Sequence, residues 1–164
     1  MVVGSPGSGK STFSIKLSEI TGIPLIHLDK EFWNNGWIET PREEWVEKVK
    51  YLISGNEWIL DGNYGGTMDI RLEKADTVIC FKLSRVVCVL SYFKRVITNL
   101  GKIRPDMQEG CPEKFDTEFM RYIWDFPNTS GKRNIDRLGK INDKQIIVFK
   151  NRREAKKYIM KIMK

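Results

Sequence analysis

A three-layer α/β/α fold, built on a five-stranded parallel sheet and carrying a helical lid insertion, is what this 164-residue sequence predicts. Three observations lead there. Short apolar runs alternate with stretches of helical periodicity and no low-complexity linker or internal repeat interrupts them. A glycine-rich loop stands between the first such run and the first such helix. Acidic residues, Asp29 and Asp61, close two of the later apolar runs, where open α/β sheets bind ligands.

The first expected strand is the β-branched run Met1-Val2-Val3, short enough to leave a start upstream of Met1 open. Gly4-Ser5-Pro6-Gly7-Ser8-Gly9-Lys10-Ser11-Thr12 follows and matches G-x-x-x-x-G-K-S/T in full. Polyphosphate must exchange its hydration for many donors at once, and a glycine-rich turn lets successive N–H groups converge on one anion beside a helix N-terminus. In this reading Lys10 reaches the β- and γ-phosphates, Ser11 ligates Mg²⁺ and Thr12 meets the α-phosphate. Phe13, Leu17 and Ile20 then make residues 10–21 a helix able to pack on a sheet. A P-loop NTPase using ATP and Mg²⁺ is the expected class.

Gly22-Ile23-Pro24 breaks that helix, and Leu25-Ile26-His27-Leu28 reads as a strand ending at Asp29. Asp29 is the candidate to orient an acceptor hydroxyl or take its proton. Phe32, Trp33, Trp37 and Trp45 crowd aromatics around the loop-like Asn34-Asn35-Gly36, so Trp33 and Trp37 are candidates to roof an acceptor pocket, whereas Trp45 suits the core. Pro41 opens a helix over 42–53, with Thr40 as candidate N-cap and Glu43 as its capping-box partner. Trp58-Ile59-Leu60 leads into Asp61-Gly62, and Asp61 is the candidate second metal group. Arg71 follows where an acceptor anion could be met.

Thr77-Val78-Ile79-Cys80-Phe81 is the most apolar run and reads as the central strand. Helices are expected over 84–100 and 113–125, then a last strand Gln145-Ile146-Ile147-Val148-Phe149 and a basic C-terminal helix. Between them Gly101-Lys102-Ile103-Arg104-Pro105-Asp106 is polar and rich in helix breakers. It suits a lid within 95–133, whose Arg95, Arg104, Arg121 and Arg133 are candidates to stabilise charge during phosphoryl transfer. The whole chain, 1–164, reads as one domain.

A net charge of +7 raises the question of nucleic acid. Lys150, Arg152, Arg153, Lys156, Lys157, Lys161 and Lys164 lie on the last helix, whose other side carries Tyr158, Ile159, Ile162 and Met163. A solvated helix face accounts for that pattern, and a DNA-binding surface is the alternative. Cys80, Cys88 and Cys111 have no C-x-x-C spacing and only His27 represents histidine, so neither a zinc site nor a disulfide framework is expected. With no run of membrane-spanning length and no leader ahead of the P-loop, a cytoplasmic location is expected.

Ile23-Pro24-Leu25-Ile26-His27-Leu28-Asp29, Trp58-Ile59-Leu60-Asp61-Gly62-Asn63-Tyr64, Arg104-Pro105-Asp106-Met107 and Glu109-Gly110-Cys111-Pro112, taken in order after the P-loop, resemble the DNA topology modulation (FlaR-like) proteins, a branch of the adenylate kinase-like P-loop kinases. The resemblance spans nearly the whole chain. It implies a kinase-like fold with ATP and Mg²⁺, and adenine contacts from the backbone after the last strand, near Lys150 and Asn151. Asp61-Gly62 is similar to the Asp-Gly of adenylate kinases, but Asn63-Tyr64 stands where those enzymes continue with an aromatic, a proline and an arginine, which counts against AMP as acceptor. The expected activity is transfer of the ATP γ-phosphate to a small molecule. A nucleotide-switched, DNA-associated regulator is the rival, and a simple NTPase a third reading.

Overall fold

The computed structural model describes residues 1–163; Lys164, the last of the basic residues named above, lies outside them. Five parallel strands form the main sheet: β1 (Val2–Gly4), β2 (Leu25–His27), β5 (Ile59–Asp61), β6 (Thr77–Phe81) and β7 (Gln145–Phe149), in the order β2-β5-β1-β6-β7. A separate two-stranded hairpin pairs β3 (Trp33–Asn34) with β4 (Ile38–Glu39). Eight helices complete the described chain: α1 (Lys10–Thr21), α2 (Leu28–Phe32), α3 (Arg42–Leu52), α4 (Met68–Lys74), α5 (Arg85–Asn99), α6 (Thr117–Asp125), α7 (Ser130–Leu138) and α8 (Arg152–Ile162).

Period-two alternation divides the strand residues between two cores. Val3, Leu60, Val78 and Cys80 point to one face of the sheet, where Trp45, Val49, Met68, Leu72 and Leu138 bring α3, α4 and α7 against them. Val2, Ile59, Ile79 and Phe81 point to the other, covered through Phe13, Cys88, Tyr92, Ile123, Ala155 and Ile159 by α1, α5, α6 and α8. This is the α/β/α sandwich the alternation predicts.

Several expectations need correction. The central strand is β1 rather than the 77–81 run, since β5 and β6 pair on either side of it. Three residues carry little apolar signal, yet Val2 and Val3 are almost wholly buried. Strand β2 stops at His27, and Asp29 lies in the first turn of α2 because Leu28 turns into the core. Thr40 does not cap α3: its hydroxyl donates to the Phe32 carbonyl, tying the hairpin shut, and no side chain caps that helix. The helix expected from 113 starts at Thr117, where the Asp116 carboxylate accepts from the Phe119 N–H at 2.9 Å. Helices α4 and α7 were not foreseen. The first is seven residues long, and the second buries few side chains, so neither shows a sustained apolar stripe.

The chain leaves β1 towards β2 and β5 on one side and returns to β6 and β7 on the other. The carboxyl end of β1 is therefore the point of reversal, and a crevice opens there.

Candidate active site

The P-loop emerges from β1 into that crevice. Gly4 has φ +127°, and a Cβ built there would lie 2.2 Å from the Phe81 carbonyl oxygen of the neighbouring strand. Gly7, at φ +73°, passes the Cys88 carbonyl on α5 so closely that a Cβ would stand 2.6 Å from it. The glycines thus answer to backbone contacts with β6 and α5 as well as to turn geometry. Lys10 starts α1, and its Nζ donates to the Ser5 carbonyl within the loop at 3.0 Å.

Register delivers the next pair. Strands β2 and β5 place His27 opposite Asp61, both at their carboxyl ends, and His27 Nδ1 lies 3.0 Å from Asp61 Oδ2. Asp61 is 5% exposed, and its other oxygen, Oδ1, is buried with no partner among the described residues. A buried carboxylate oxygen without a donor suits a cation. Ser11 lines the same cavity, so the two residues expected to hold a metal fit that group. Among the described residues no group of three or more His, Cys, Asp or Glu side chains is placed to hold a metal ion.

Beyond Asp61 the chain turns through Gly62, Asn63 and Tyr64. The Asn63 side-chain amide clamps Gly4 at both ends, accepting from its N–H and donating to its carbonyl at 2.9 Å each. The Tyr64 hydroxyl donates to Asp29 Oδ1 at 2.8 Å. Its ring packs on Phe32 and Trp45, with centroids 4.8 and 5.0 Å away. Burial pushes the Asp29 carboxyl above the ordinary carboxylate range; the Tyr64 hydrogen bond opposes this and the Asp61 charge reinforces it. Burial likewise pushes the Tyr64 hydroxyl upward, with the Asp29 charge adding to it, so that it remains a donor.

One cavity of about 900 Å³ is lined by much of the expected set. Pro6, Gly7, Gly9, Lys10, Ser11 and Thr12 border it with Asp61 and Asp29, and Trp33, Trp37, Arg95 and Arg104 join them. Gly4, Ser5 and Ser8 belong to the same loop but not to the cavity wall, and Ser5 and Ser8 are buried. Asn151 is outside the wall: its side chain caps α8, accepting from the Glu154 N–H at 3.0 Å. Arg133 is outside too, donating to Ser130 at 3.0 Å on the exposed side of α7.

Arg71 requires the largest correction. It is 0% exposed and cannot meet an acceptor anion. Its guanidinium donates to the carbonyls of Gly62 at 3.0 Å, Tyr64 at 2.9 Å and Thr67 at 3.3 Å, and also to that of Asn63. Burial pulls its pKa down to about 10. Arg71 braces the turn that presents Asn63 and Tyr64.

Two of the arginines that line the cavity, Arg95 and Arg104, are held by acids. Arg95 pairs with Glu113 at 3.1 Å and lies over the Tyr92 and Phe119 rings. Arg104 stands 3.3 Å from both Asp106 and Glu113, close enough for ion pairing although its Nε makes no aligned hydrogen bond. Glu113 itself is buried, and its backbone closes the neck of the 101–113 loop through Gly101 N–H to Glu113 O and Glu113 N–H to Lys102 O, each 2.9 Å. The loop docks on the hairpin opposite, where the Gly36 N–H donates to the Gly110 carbonyl at 3.1 Å.

Sequence reasoning missed His27, Asn63, Tyr64 and Glu113 as site members. It also placed Arg152 on a solvated face, whereas its guanidinium donates to the carbonyls of Gly7 at 2.8 Å and Ser8 at 3.1 Å and to Ser91 at 2.7 Å. No local pattern separates these residues from ordinary polar positions. The remaining basic residues of α8, Arg153, Lys156, Lys157 and Lys161, are exposed.

No family model matches the chain, and no curated protein matches it. A solved structure similar to it is that of deoxyadenosine kinase from M. mycoides with bound dCTP, at 16% identity and a TM-score of 0.43, covering 98% of this chain and 97% of that one. So distant a likeness assigns no role to any residue here. Among the described residues no helix is long and apolar enough to cross a membrane.

Proposed function

We propose that the chain is a P-loop phosphotransferase that moves the γ-phosphate of ATP to a small hydroxyl-bearing acceptor. One observation carries this reading. The P-loop with Lys10 shares a single cavity with a half-buried carboxylate, Asp29, whose Oδ1 is held by Tyr64 and whose other oxygen makes no hydrogen bond among the described residues. A hydrolase needs only water at that place. A carboxylate set beside an aromatic wall serves a second substrate.

In this account the loop amides and Lys10 bind the β- and γ-phosphates. Ser11 and Asp61 would hold Mg²⁺, which supplies charge neutralisation on the phosphate oxygens when bound. His27 fixes the Asp61 carboxylate through Oδ2 and leaves Oδ1 to the metal. Asp29 orients the acceptor hydroxyl and takes its proton. Arg95 and Arg104 stand by to stabilise charge on the transferring group, and residues 95–133 serve as the cover that excludes water. The resemblance to the topology modulation proteins belongs to this proposal on its motifs alone.

The test is Mg²⁺-dependent transfer of label from γ-labelled ATP to a panel of hydroxyl compounds, with Lys10→Ala as the blank. Acceptor-stimulated transfer that vanishes in Lys10→Ala is expected. Hydrolysis that no acceptor stimulates would replace phosphotransfer with simple NTPase activity.

A further inference from the structure

The acceptor side of the cavity has a definite charge and shape. Of the five arginines the sequence offers to meet an acceptor anion or a transferring phosphate, Arg121 and Arg133 lie off the cavity wall and the other three are already engaged by protein groups. Arg71 is sealed in the interior on four carbonyls, while Arg95 and Arg104 converge on the buried Glu113, with Asp106 beside Arg104. Among the described residues three further cations border the cavity: Lys10 and Arg152 are held on carbonyls of the phosphate loop, and Lys114 is an exposed residue whose ammonium sits 5.4 Å from the Trp37 ring centroid. The carboxylates Asp29, Asp61 and Glu113 all border the same space. A phosphomonoester brought here would face those charges beside guanidiniums that are already paired with acids, which disfavours a further anion.

The wall is otherwise aromatic. Trp33 and Trp37 meet edge to face at 5.4 Å, and Tyr64 and Tyr122 line the cavity with them. Trp37 holds φ at +64°, a conformation that bulky residues seldom adopt. Its indole Nε1 is buried and has no partner among the described residues, an unpaired donor on a side chain that lines the cavity.

We propose that the acceptor is an uncharged molecule carrying a hydroxyl and a planar ring with a hydrogen-bond acceptor atom, a nucleoside by chemical class, and not a phosphomonoester. This rests on the phosphotransferase reading and narrows it. The hydroxyl oxygen bonds to the γ-phosphorus of ATP as the bond from that phosphorus to the β,γ-bridging oxygen breaks. ADP leaves with the electron pair, and the hydroxyl proton passes to Asp29 and from there to solvent. Trp37 is the residue that selects the ring.

The experiment offers the chain Mg²⁺, γ-labelled ATP and a set of nucleosides alongside their 5′-monophosphates at equal concentration. At least one nucleoside should be phosphorylated with a kcat/KM about tenfold or more above that of any monophosphate. In Trp37→Phe, which keeps a ring and removes the N–H, KM for that nucleoside should rise about tenfold with kcat held within about twofold. A monophosphate turned over faster than its parent nucleoside overturns the acceptor class and leaves phosphotransfer standing. So does normal ATP binding, seen as a rise in Tm, when no nucleoside is turned over and none quenches tryptophan fluorescence. An unchanged KM in Trp37→Phe removes the indole from recognition. Failure of ATP to bind at all overturns both readings.

Discussion

Replacing Arg71 with methionine separates a brace from a binding residue. Methionine keeps the apolar stem but ends where the guanidinium begins, and so leaves the carbonyls of Gly62, Asn63, Tyr64 and Thr67 without their shared donor. A hydrogen bond to a charged group contributes about 1.5–3 kcal/mol net of desolvation. The cost of burying the guanidinium is visible in a pKa pulled down to about 10, which favours the low end of that range. Counting only the bonds to Gly62, Tyr64 and Thr67, three at the low end give a loss of roughly 4–5 kcal/mol. Against a total stability of about 5–15 kcal/mol, that is a shift of roughly 10 °C or more in Tm. Urea unfolding followed by circular dichroism measures it, and ATP binding to the folded variant should weaken as Asn63 and Tyr64 lose their support. A loss below about 1 kcal/mol, accompanied by a raised acceptor KM, would refute this reasoning and return Arg71 to the acceptor site.

Two further outcomes follow from the same turn and its partners. Asp29 binds its proton more tightly in the folded chain than in the unfolded one. The stability due to that proton is therefore present below the unfolded pKa and lost as pH rises through the folded value. Asp29→Asn should raise Tm at neutral pH while turnover falls by about 100-fold or more, and the wild-type acid limb of kcat/KM should have its midpoint above the ordinary aspartate range. Paired thermal melts and pH–rate profiles check both signs. Asn63→Ala removes both hydrogen bonds to Gly4 and should cost about 1–3 kcal/mol in urea unfolding while weakening ATP binding several-fold by isothermal titration.

The fold was legible wherever a local signal was strong. The glycines of the P-loop, the periodicity of α1 with Gly22 ending it at φ +73°, and the apolar runs that became β6 and β7 each depend on a few adjacent residues. Chain-local chemistry also marked Lys10, Ser11, Asp61 and Asp29 as residues to watch, and the tertiary structure sets them around one cavity. What the sequence by itself determined is therefore the layered α/β class and the place of the phosphate loop.

Tertiary structure alone decided which polar side chains are spent on architecture. Arg71 and Arg104 look alike as sequence, yet one is sealed against backbone carbonyls and the other lines the cavity beside Glu113. Tyr64 finds Asp29 across 35 positions, Asn63 finds Gly4 across 59, and Arg152 reaches Gly7 across 145. Such pairings arise from strand order and register, which place β5 between β1 and β2 and set His27 opposite Asp61. A hydrogen bond acts over about 3 Å, so no pattern of neighbours along the chain can encode which distant group will stand at that distance.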